Sequence, residues 1–210
     1  MLISLAKQIN FLILSASIKF IGPSLPLYFS MRRYPVKKGM IDQKKMENAF
    51  LLELSRLLPH EKYKYTIVAD SGFATIHFME QCQKQGFNFV IRTPEKWNIE
   101  IDDCKGSMKE LEKENKDWKV KLKSGKLETR LVTSFNEDGQ GWYIFTDLEE
   151  ASFNRLIEEY KGRFQCEKMF QDEKSSVFEI EKSKIEKYSR FKRLLFCMYI
   201  TQGLMMFVGD

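Results

Sequence analysis

Two short apolar segments separated by a helical segment constrain the fold of this chain more than any other feature. Residues 65–69 are apolar and end at Asp70, and residues 87–92 form a second apolar run. Between them, residues 74–85 have a helical pattern, and Gly86 is suited to end that helix. Short strands that are apolar throughout are typical of parallel sheets, because both faces of such sheets are covered. This order therefore predicts a parallel strand pair in an α/β domain.

Further strands and helices are predicted in the sequence before and after this pair. Strands are also expected at residues 11–20 and 24–30, which should pair around a turn, and at residues 118–123, 127–133 and 142–146. Helices are expected from Asp42 to Leu58, from residue 149 to residue 174, and from residue 189 to residue 207. Residues 94–140 are rich in Lys and Glu, and the alternation within them favours a polar β hairpin or small sheet.

Bulk composition narrows the class of protein only slightly. Of the 210 residues, 43% are hydrophobic and 30% are charged, which favours a globular chain over a disordered one. The net charge of +5 is compatible with nucleic-acid binding, but many other proteins are as basic.

The cysteines and the longest apolar stretches indicate a cytoplasmic protein without membrane contact. The four cysteines form no C-x-x-C pair, which disfavours a zinc site and is typical of free thiols in a reducing compartment. Residues 11–29 are interrupted by Lys19 and by two prolines, and residues 194–208 are too few for a membrane-spanning helix of about 20 residues. The first residues do not follow the order of a signal peptide.

One face of the helix predicted at residues 149–174 combines a phenol, a carboxylate and two cations. Tyr160, Arg163, Glu167 and Lys174 stand at offsets of zero, three, seven and fourteen. At about 100° per residue, they fall within roughly a 60° arc. The apolar residues of the same stripe, which should face a core, are Phe153, Leu156, Ile157 and Tyr160. Charges held near a core are costly, and a metal ion together with a phosphate would compensate them.

These residues form the pattern Tyr-x2-Arg-x3-Glu-x6-Lys, and a second motif, Ile-Val-Ala-Asp-Ser-Gly-Phe, lies at residues 67–73. The first pattern resembles the YREK signature of DDE transposases of insertion-sequence family 4. The second resembles the strand-end motif that carries the second catalytic Asp of that family. Flanking residues 44–47 and 86–92 are also similar, so the resemblance extends from about residue 11 to about residue 207.

The resemblance implies a fold and a domain organisation. The expected fold is α/β: a ribonuclease-H-like mixed sheet flanked by helices, with a mainly β insertion before the last catalytic helix. Residues 1–93 would form the first part of the core, residues 94–140 the insertion, and residues 141–210 the second part of the core with the YREK helix.

The resemblance also implies a reaction, which is the cleavage and transfer of DNA strands at transposon ends. Asp70 and Glu167 would be catalytic and would bind two Mg²⁺ (or Mn²⁺) ions, because hard oxygen ligands suit these metals. Tyr160, Arg163 and Lys174 would contact DNA phosphates. The implied partners are double-stranded DNA and a second transposase subunit.

Simpler roles remain open for the same residues. Asp70 precedes Gly72 and is also a typical turn residue. Glu167 is also suited to a solvated ion pair with Arg163, four residues earlier. Trp97 and Trp118 lie in or near the expected insertion, where an aromatic ring stacks on a flipped base in some transposases. Packing is the favoured role for both tryptophans.

The family pattern contains three catalytic carboxylates, and this chain departs from that pattern at the first of them. No Asp or Glu precedes Asp42, which lies at a predicted helix start rather than on a strand. Ser71 also stands where the family often has Arg. The resemblance therefore suggests a transposase truncated at its N-terminus and impaired in catalysis. The alternative is a non-enzymatic remnant that binds DNA or an intact transposase, or has no activity.

Overall fold

A computed structural model of the chain describes residues 2–4, 10–19, 24–34, 43–101, 104–111, 113–122, 127–135, 137, 139, 141–172 and 178–208. The strands of these residues are β1 (Leu2–Ser4), β2 (Asn10–Lys19), β3 (Ser24–Tyr34), β4 (Tyr65–Ala69), β5 (Phe87–Thr93), β6 (Asn98–Ile101), β7 (Cys104–Ser107), β8 (Lys116–Leu122), β9 (Leu127–Phe135) and β10 (Gly141–Thr146). The α-helices are α1 (Gln43–Leu57), α2 (Ile76–Lys84), α3 (Phe153–Lys161), α4 (Arg163–Gln171) and α5 (Tyr188–Val208).

The chain forms two compact units. Unit 1 consists of Met1–Phe50 and Gly162–Asp210, and unit 2 consists of Leu51–Lys161. The division into residues 1–93, 94–140 and 141–210 stays a prediction.

Unit 1 contains a three-stranded antiparallel sheet in the order β1-β2-β3, on which α5 packs. The strand pair predicted at residues 11–20 and 24–30 is confirmed, since β2 pairs with β3 in antiparallel orientation along its length. The buried side chains of its core are Phe11, Ile13, Met31, Ile180, Phe191, Leu195 and Met198. The rings of Phe11 and Phe191 stack with their centroids 4.5 Å apart. This apolar contact explains why α5 forms where the sequence predicts an apolar helix.

Unit 2 contains a mixed sheet of seven strands among the described residues, in the order β4-β5-β10-β9-β8-β6-β7. Strands β4 and β5 are parallel and are joined through α2, as predicted. The other pairs in this sheet are antiparallel. Helices α2 and α3 pack against strands of the parallel pair. This mixed α/β architecture confirms the predicted class and is consistent with a ribonuclease-H-like fold.

The hairpin predicted from alternating residues is also confirmed. Strands β8 and β9 pair in antiparallel orientation, with Trp118 opposite Leu131. Val120 and Leu122 are buried, whereas Lys119 is exposed and Lys121 is half-buried. A period of two therefore sets which face of this hairpin packs and which face meets water.

Helix α1 spans most of the range predicted for it. Asp42, its predicted cap, lies outside the described residues. Met46, Leu51 and Leu54 of this helix are buried, but Leu57 in its last turn is 61% exposed.

The prediction of one helix over residues 149–174 is wrong. The guanidinium of Arg130 donates hydrogen bonds to the backbone oxygens of Leu148, Glu149 and Ala151, and it also pairs with Asp117. Carbonyls that accept from Arg130 hold these residues in an irregular turn, so α3 begins only at Phe153.

The helical segment is also divided at its centre. Helix α3 ends at Lys161, Gly162 follows in a turn, and α4 begins at Arg163. Glycine is a poor helix former because it loses more backbone freedom than other residues. Helix α4 ends at Gln171, and residues 173–177 lie outside the described part of the chain.

The described helices include none that is long and apolar enough to cross a membrane. The cysteines of the chain are free thiols, as predicted.

Asp147 follows β10 directly, and its half-buried carboxylate is hydrogen-bonded to the first half of β5. Its carboxylate accepts hydrogen bonds from the backbone N–H of Phe89 at 2.8 Å and from the Gln83 amide at 3.3 Å. Partial burial raises the pKa of Asp147 above its ordinary value of 3.8, and these two hydrogen bonds oppose that rise only in part. The ionised form is thus less favourable in the folded protein than in the unfolded chain.

We predict that Asp147→Asn increases stability near neutral pH relative to the wild type. Because the pKa of Asp147 is higher in the folded protein than in the unfolded chain, proton binding to Asp147 stabilises the folded state fully below pH 3.8. This stabilisation is lost as the pH rises through the pKa of the folded protein. The difference in free energy of unfolding should therefore grow from pH 3 towards pH 7, as measured by urea denaturation. Glu149→Gln, which removes an exposed carboxylate nearby, is the control. A constant difference across this pH range would contradict the assignment.

Candidate functional site

Asp70 lies immediately after β4, at the carboxyl end of the parallel pair. It caps a short 3₁₀ turn formed by Ser71–Phe73. Its Oδ1 accepts a hydrogen bond from the backbone N–H of Gly72 at 2.9 Å, and its backbone oxygen accepts one from Phe73 at 3.1 Å. The turn role expected as an alternative is therefore confirmed.

The carboxylate of Asp70 nevertheless remains accessible to a ligand. Asp70 is exposed, and among the described residues only Gly72 donates a hydrogen bond to its carboxylate. A Cβ atom at position 72 would lie 3.1 Å from Oδ1, so glycine leaves room for this close approach. The turn thus orients one oxygen of Asp70 and leaves the other available.

An open cleft of about 370 Å³ lies beside this turn within unit 2. Its lining residues are Ser71, Arg92, Thr93, Pro94, Glu95, Gly141 and Tyr143. These residues meet because β5 ends, and its antiparallel neighbour β10 begins, at the edge of the sheet where β4 ends. Sequence reasoning did not assign this cleft, although the ends of the predicted strands were a usable signal.

The cleft contains both charge signs and a buried phenol. The Arg92 side chain is exposed, and so is that of Glu95 in the turn that follows β5. Burial, and secondarily the negative charge of Glu95, raises the pKa of the Tyr143 hydroxyl. Tyr143 is therefore neutral at physiological pH and can act as a hydrogen-bond donor.

Arg163 and Glu167 form an ion pair on α4, in unit 1. Arg163 Nη1 and Glu167 Oε1 are 2.8 Å apart, at the i,i+4 spacing of a helix. The Arg163 side chain is 13% exposed and lies over the Phe164 ring, whereas the Glu167 side chain is 51% exposed. The solvated pair expected as an alternative for Glu167 is therefore present, and its carboxylate faces water in part.

Tyr160 lies at the end of α3 and belongs to the core of unit 2. It is fully buried, and its ring packs edge-on against Trp142 with centroids 5.1 Å apart. Leu156 and Ile157 are buried in the same cluster, which confirms the predicted apolar stripe. Contact of the Tyr160 hydroxyl with a phosphate stays a prediction.

The other two tryptophans also have packing contacts. Trp97 packs edge-on against Phe145, with ring centroids 5.4 Å apart. The Lys116 ammonium lies 5.4 Å from the centre of the Trp118 ring, as in a cation–π contact.

The predicted site residues are divided between the two units. Asp70 and Tyr160 belong to unit 2, and Arg163 and Glu167 belong to unit 1. Lys174 lies outside the described residues. Tyr160 lies on α3, whereas Arg163 and Glu167 lie on α4 after Gly162, and the arc that also includes Lys174 stays a prediction. No group of three or more His, Cys, Asp or Glu within the described ranges is placed to hold a metal ion.

Comparison with protein families supplies an independent result. The model of the family described as Transposase DDE domain matches residues 31–202, which include both the Asp70 turn and helix α4. No curated protein matches the chain. The family supports a transposase-type activity, which implies binding to DNA at transposon ends. Because the match covers well over half of its residues, the chain belongs to the transposase DDE domain family.

Proposed function

We propose that the chain descends from transposases of insertion-sequence family 4, which cut and transfer DNA strands at transposon ends. The observation that carries this proposal is the exposed carboxylate of Asp70, at the carboxyl end of a parallel strand pair and beside an open cleft. In open α/β sheets, ligands bind at the carboxyl ends of the strands. The match to the family adds the class of ligand, which is DNA.

Asp70 and Glu167 are the proposed metal ligands and catalytic residues. Both offer an exposed carboxylate, and oxygen ligands of this kind suit Mg²⁺ or Mn²⁺. When bound, two such ions supply activation of a water or 3′-hydroxyl and stabilisation of the leaving oxygen. The hydrogen bond from Gly72 orients Asp70 for this role.

Arg163, Lys174 and Tyr160 are the proposed contacts to the DNA backbone. An Arg side chain can form two parallel hydrogen bonds to a phosphate, Lys supplies a point charge, and Tyr supplies a hydroxyl. The ion pair with Glu167 holds Arg163 in one orientation before DNA arrives. If Glu167 bound a metal ion, its ion pair with Arg163 would weaken. The guanidinium of Arg163 would then be available to bind a phosphate. We add exposed Arg92 of the cleft to this set.

We further propose that this chain is impaired in the reaction. A site of this class uses three carboxylates, and the 210 residues contain no Asp or Glu before Asp42 to act as the first. Loss of one of three ligands should disable a two-metal site. The alternative is a non-enzymatic remnant that binds DNA or an intact transposase, or has no activity. We also propose that the protein is cytoplasmic, does not contact a membrane and pairs with a second transposase subunit.

We predict that the purified chain does not nick DNA carrying the ends that flank its own gene, in Mg²⁺ or in Mn²⁺. The measurement is conversion of supercoiled plasmid to open circles, with EDTA as the blank. Nicking that disappears in both Asp70→Asn and Glu167→Gln would contradict the proposed impairment and would assign catalysis to these residues. Nicking that persists in both variants would indicate a contaminating nuclease.

We predict that removal of Arg163 and Lys174 together weakens DNA binding and flattens its dependence on salt. Each lost phosphate contact should lower the slope of log K against log salt by about 0.9. The matched control replaces Arg56 and Lys182 with Ala, because both are exposed cations in helical pairs with Glu. Equal slopes for wild type and for the Arg163→Ala, Lys174→Ala variant would contradict the proposed role.

A further inference from the structure

Four polar side chains that line the cleft of unit 2 have no polar partner among the described residues. They are Ser71, Arg92, Glu95 and Tyr143. The first three are exposed, whereas Tyr143 is only 7% exposed. A polar side chain that is this deeply buried without a hydrogen bond is costly, and each such group in a native protein requires an explanation. A ligand in the cleft would supply the missing hydrogen bonds.

The phenol of Tyr143 is held in one place by its surroundings. Tyr143 lies opposite Thr93 in the β5–β10 ladder. Its ring packs edge-on against Phe135, with the ring centroids 5.6 Å apart. Phe135 in turn lies against Gly141, where a Cβ atom would collide with the Phe135 ring. A donor that is already fixed loses little conformational freedom when a ligand binds to it.

A carboxylate lies close to this phenol. Burial raises the pKa of the Tyr143 hydroxyl, and the negative charge of Glu95 raises it further, so the two groups are near enough to interact. The cleft thus presents a neutral O–H donor beside two carboxylate oxygens that accept hydrogen bonds. These oxygens repel a phosphate group, so this part of the cleft is suited to a ligand that carries N–H donors.

Among the DNA bases, guanine has the edge that matches this arrangement best. Its Watson–Crick edge carries the acceptor O6, followed by the donors N1–H and N2–H₂. Tyr143 can donate to O6 while the two oxygens of Glu95 accept from N1–H and N2–H₂. Thymine has an acceptor on each side of its one donor, so one carboxylate oxygen would face an acceptor. Cytosine and adenine offer one donor group to the two carboxylate oxygens.

We propose that the cleft binds one unpaired guanine of the DNA, with Glu95 and Tyr143 as the residues that determine this specificity. The inference rests on the proposed function, because it names the part of the DNA that the cleft beside Asp70 accepts. The cleft volume of about 370 Å³ suits a ligand of nucleotide size. Arg92, exposed in the same cleft, binds the phosphate of that nucleotide. The guanine is unpaired, because pairing with cytosine occupies the same edge.

Recognition in the cleft depends on the edge of the base rather than on stacking. None of the residues described around the cleft is a tryptophan, and Pro94 and the Tyr143 ring supply its apolar contacts. A site built to hydrogen-bond a group rejects analogues that lack this group, because its own polar atoms are then left unpaired. The preference for guanine should therefore exceed the small differences that stacking, which every base offers, produces.

Fluorescence anisotropy with single-stranded oligonucleotides tests this proposal. Each probe is a short thymidine oligonucleotide whose central base is thymine, guanine, cytosine, adenine or hypoxanthine. EDTA is present, so the measurement requires neither a metal ion nor catalysis. The wild type should bind the guanine probe about tenfold more tightly than the thymine probe. Hypoxanthine keeps O6 and N1–H but lacks the amino group, so the affinity for its probe should be intermediate.

Two variants test the assigned residues. Glu95→Gln replaces one accepting oxygen with a donor and should abolish the guanine preference. Tyr143→Phe removes the donor to O6 and should reduce this preference roughly threefold. The controls Glu80→Gln and Tyr63→Phe change exposed residues of the same unit that do not line the cleft, and they should keep the wild-type preference. Circular dichroism spectra and thermal melts check that each variant is folded.

Several outcomes would overturn the proposal. Equal affinity of the wild type for the five probes excludes it, as does a guanine preference that persists in folded Glu95→Gln. A hypoxanthine probe bound as tightly as the guanine probe excludes the contact between Glu95 and the amino group. Duplex DNA with transposon ends separates this inference from the proposed function. A chain that binds the duplex but does not distinguish the probes contradicts this inference alone, whereas a chain that binds neither contradicts both.

Discussion

The parallel ladder between β4 and β5 determines where functional groups can gather in unit 2. The two strands run in the same direction, with Ala69 opposite Ile91, so both carboxyl ends reach one edge of the sheet. Helix α2 makes the return connection, which a parallel pair requires. Strand β10 then joins β5 in the antiparallel direction and begins at that same edge. Asp70, the residues after β5 and the start of β10 are consequently neighbours around one cleft.

A second constraint comes from hydrogen bonds that Arg130 makes across the chain. Its guanidinium occupies the carbonyls just before α3 and thereby fixes where that helix starts. Gly162 then separates α3 from α4, so that Tyr160 and Arg163 lie on different helices. Tyr160 is used in packing with Trp142, whereas Arg163 pairs with Glu167. Residues that are adjacent in a sequence motif thus have different physical environments.

The pair between Arg163 and Glu167 is suited to being exchanged for a ligand. Pairs at i,i+4 on a helix contribute only about 0.3–0.5 kcal/mol when they are exposed to solvent. The Glu167 side chain is half exposed, so water screens the pair in part. The Arg163 side chain is only 13% exposed, so exchange of the pair preserves stability only if a phosphate replaces the carboxylate beside its guanidinium. The contact of Arg163 with the Phe164 ring would continue to position the guanidinium.

The sequence by itself determined the local elements and the family. Apolar composition located the β2–β3 hairpin, the parallel pair and α5, alternation located the β8–β9 hairpin, and a helical pattern located α2, because neighbouring side chains alone set these patterns. The spacing of Tyr160, Arg163, Glu167 and Lys174, with the motif around Asp70, was enough to indicate a DDE transposase. Only the tertiary structure decided where α3 begins, how deeply Tyr160 is buried and which residues line the cleft. These features depend on contacts between residues far apart in the chain, such as Arg130 with Ala151 and β5 with β10, which local periodicity does not encode.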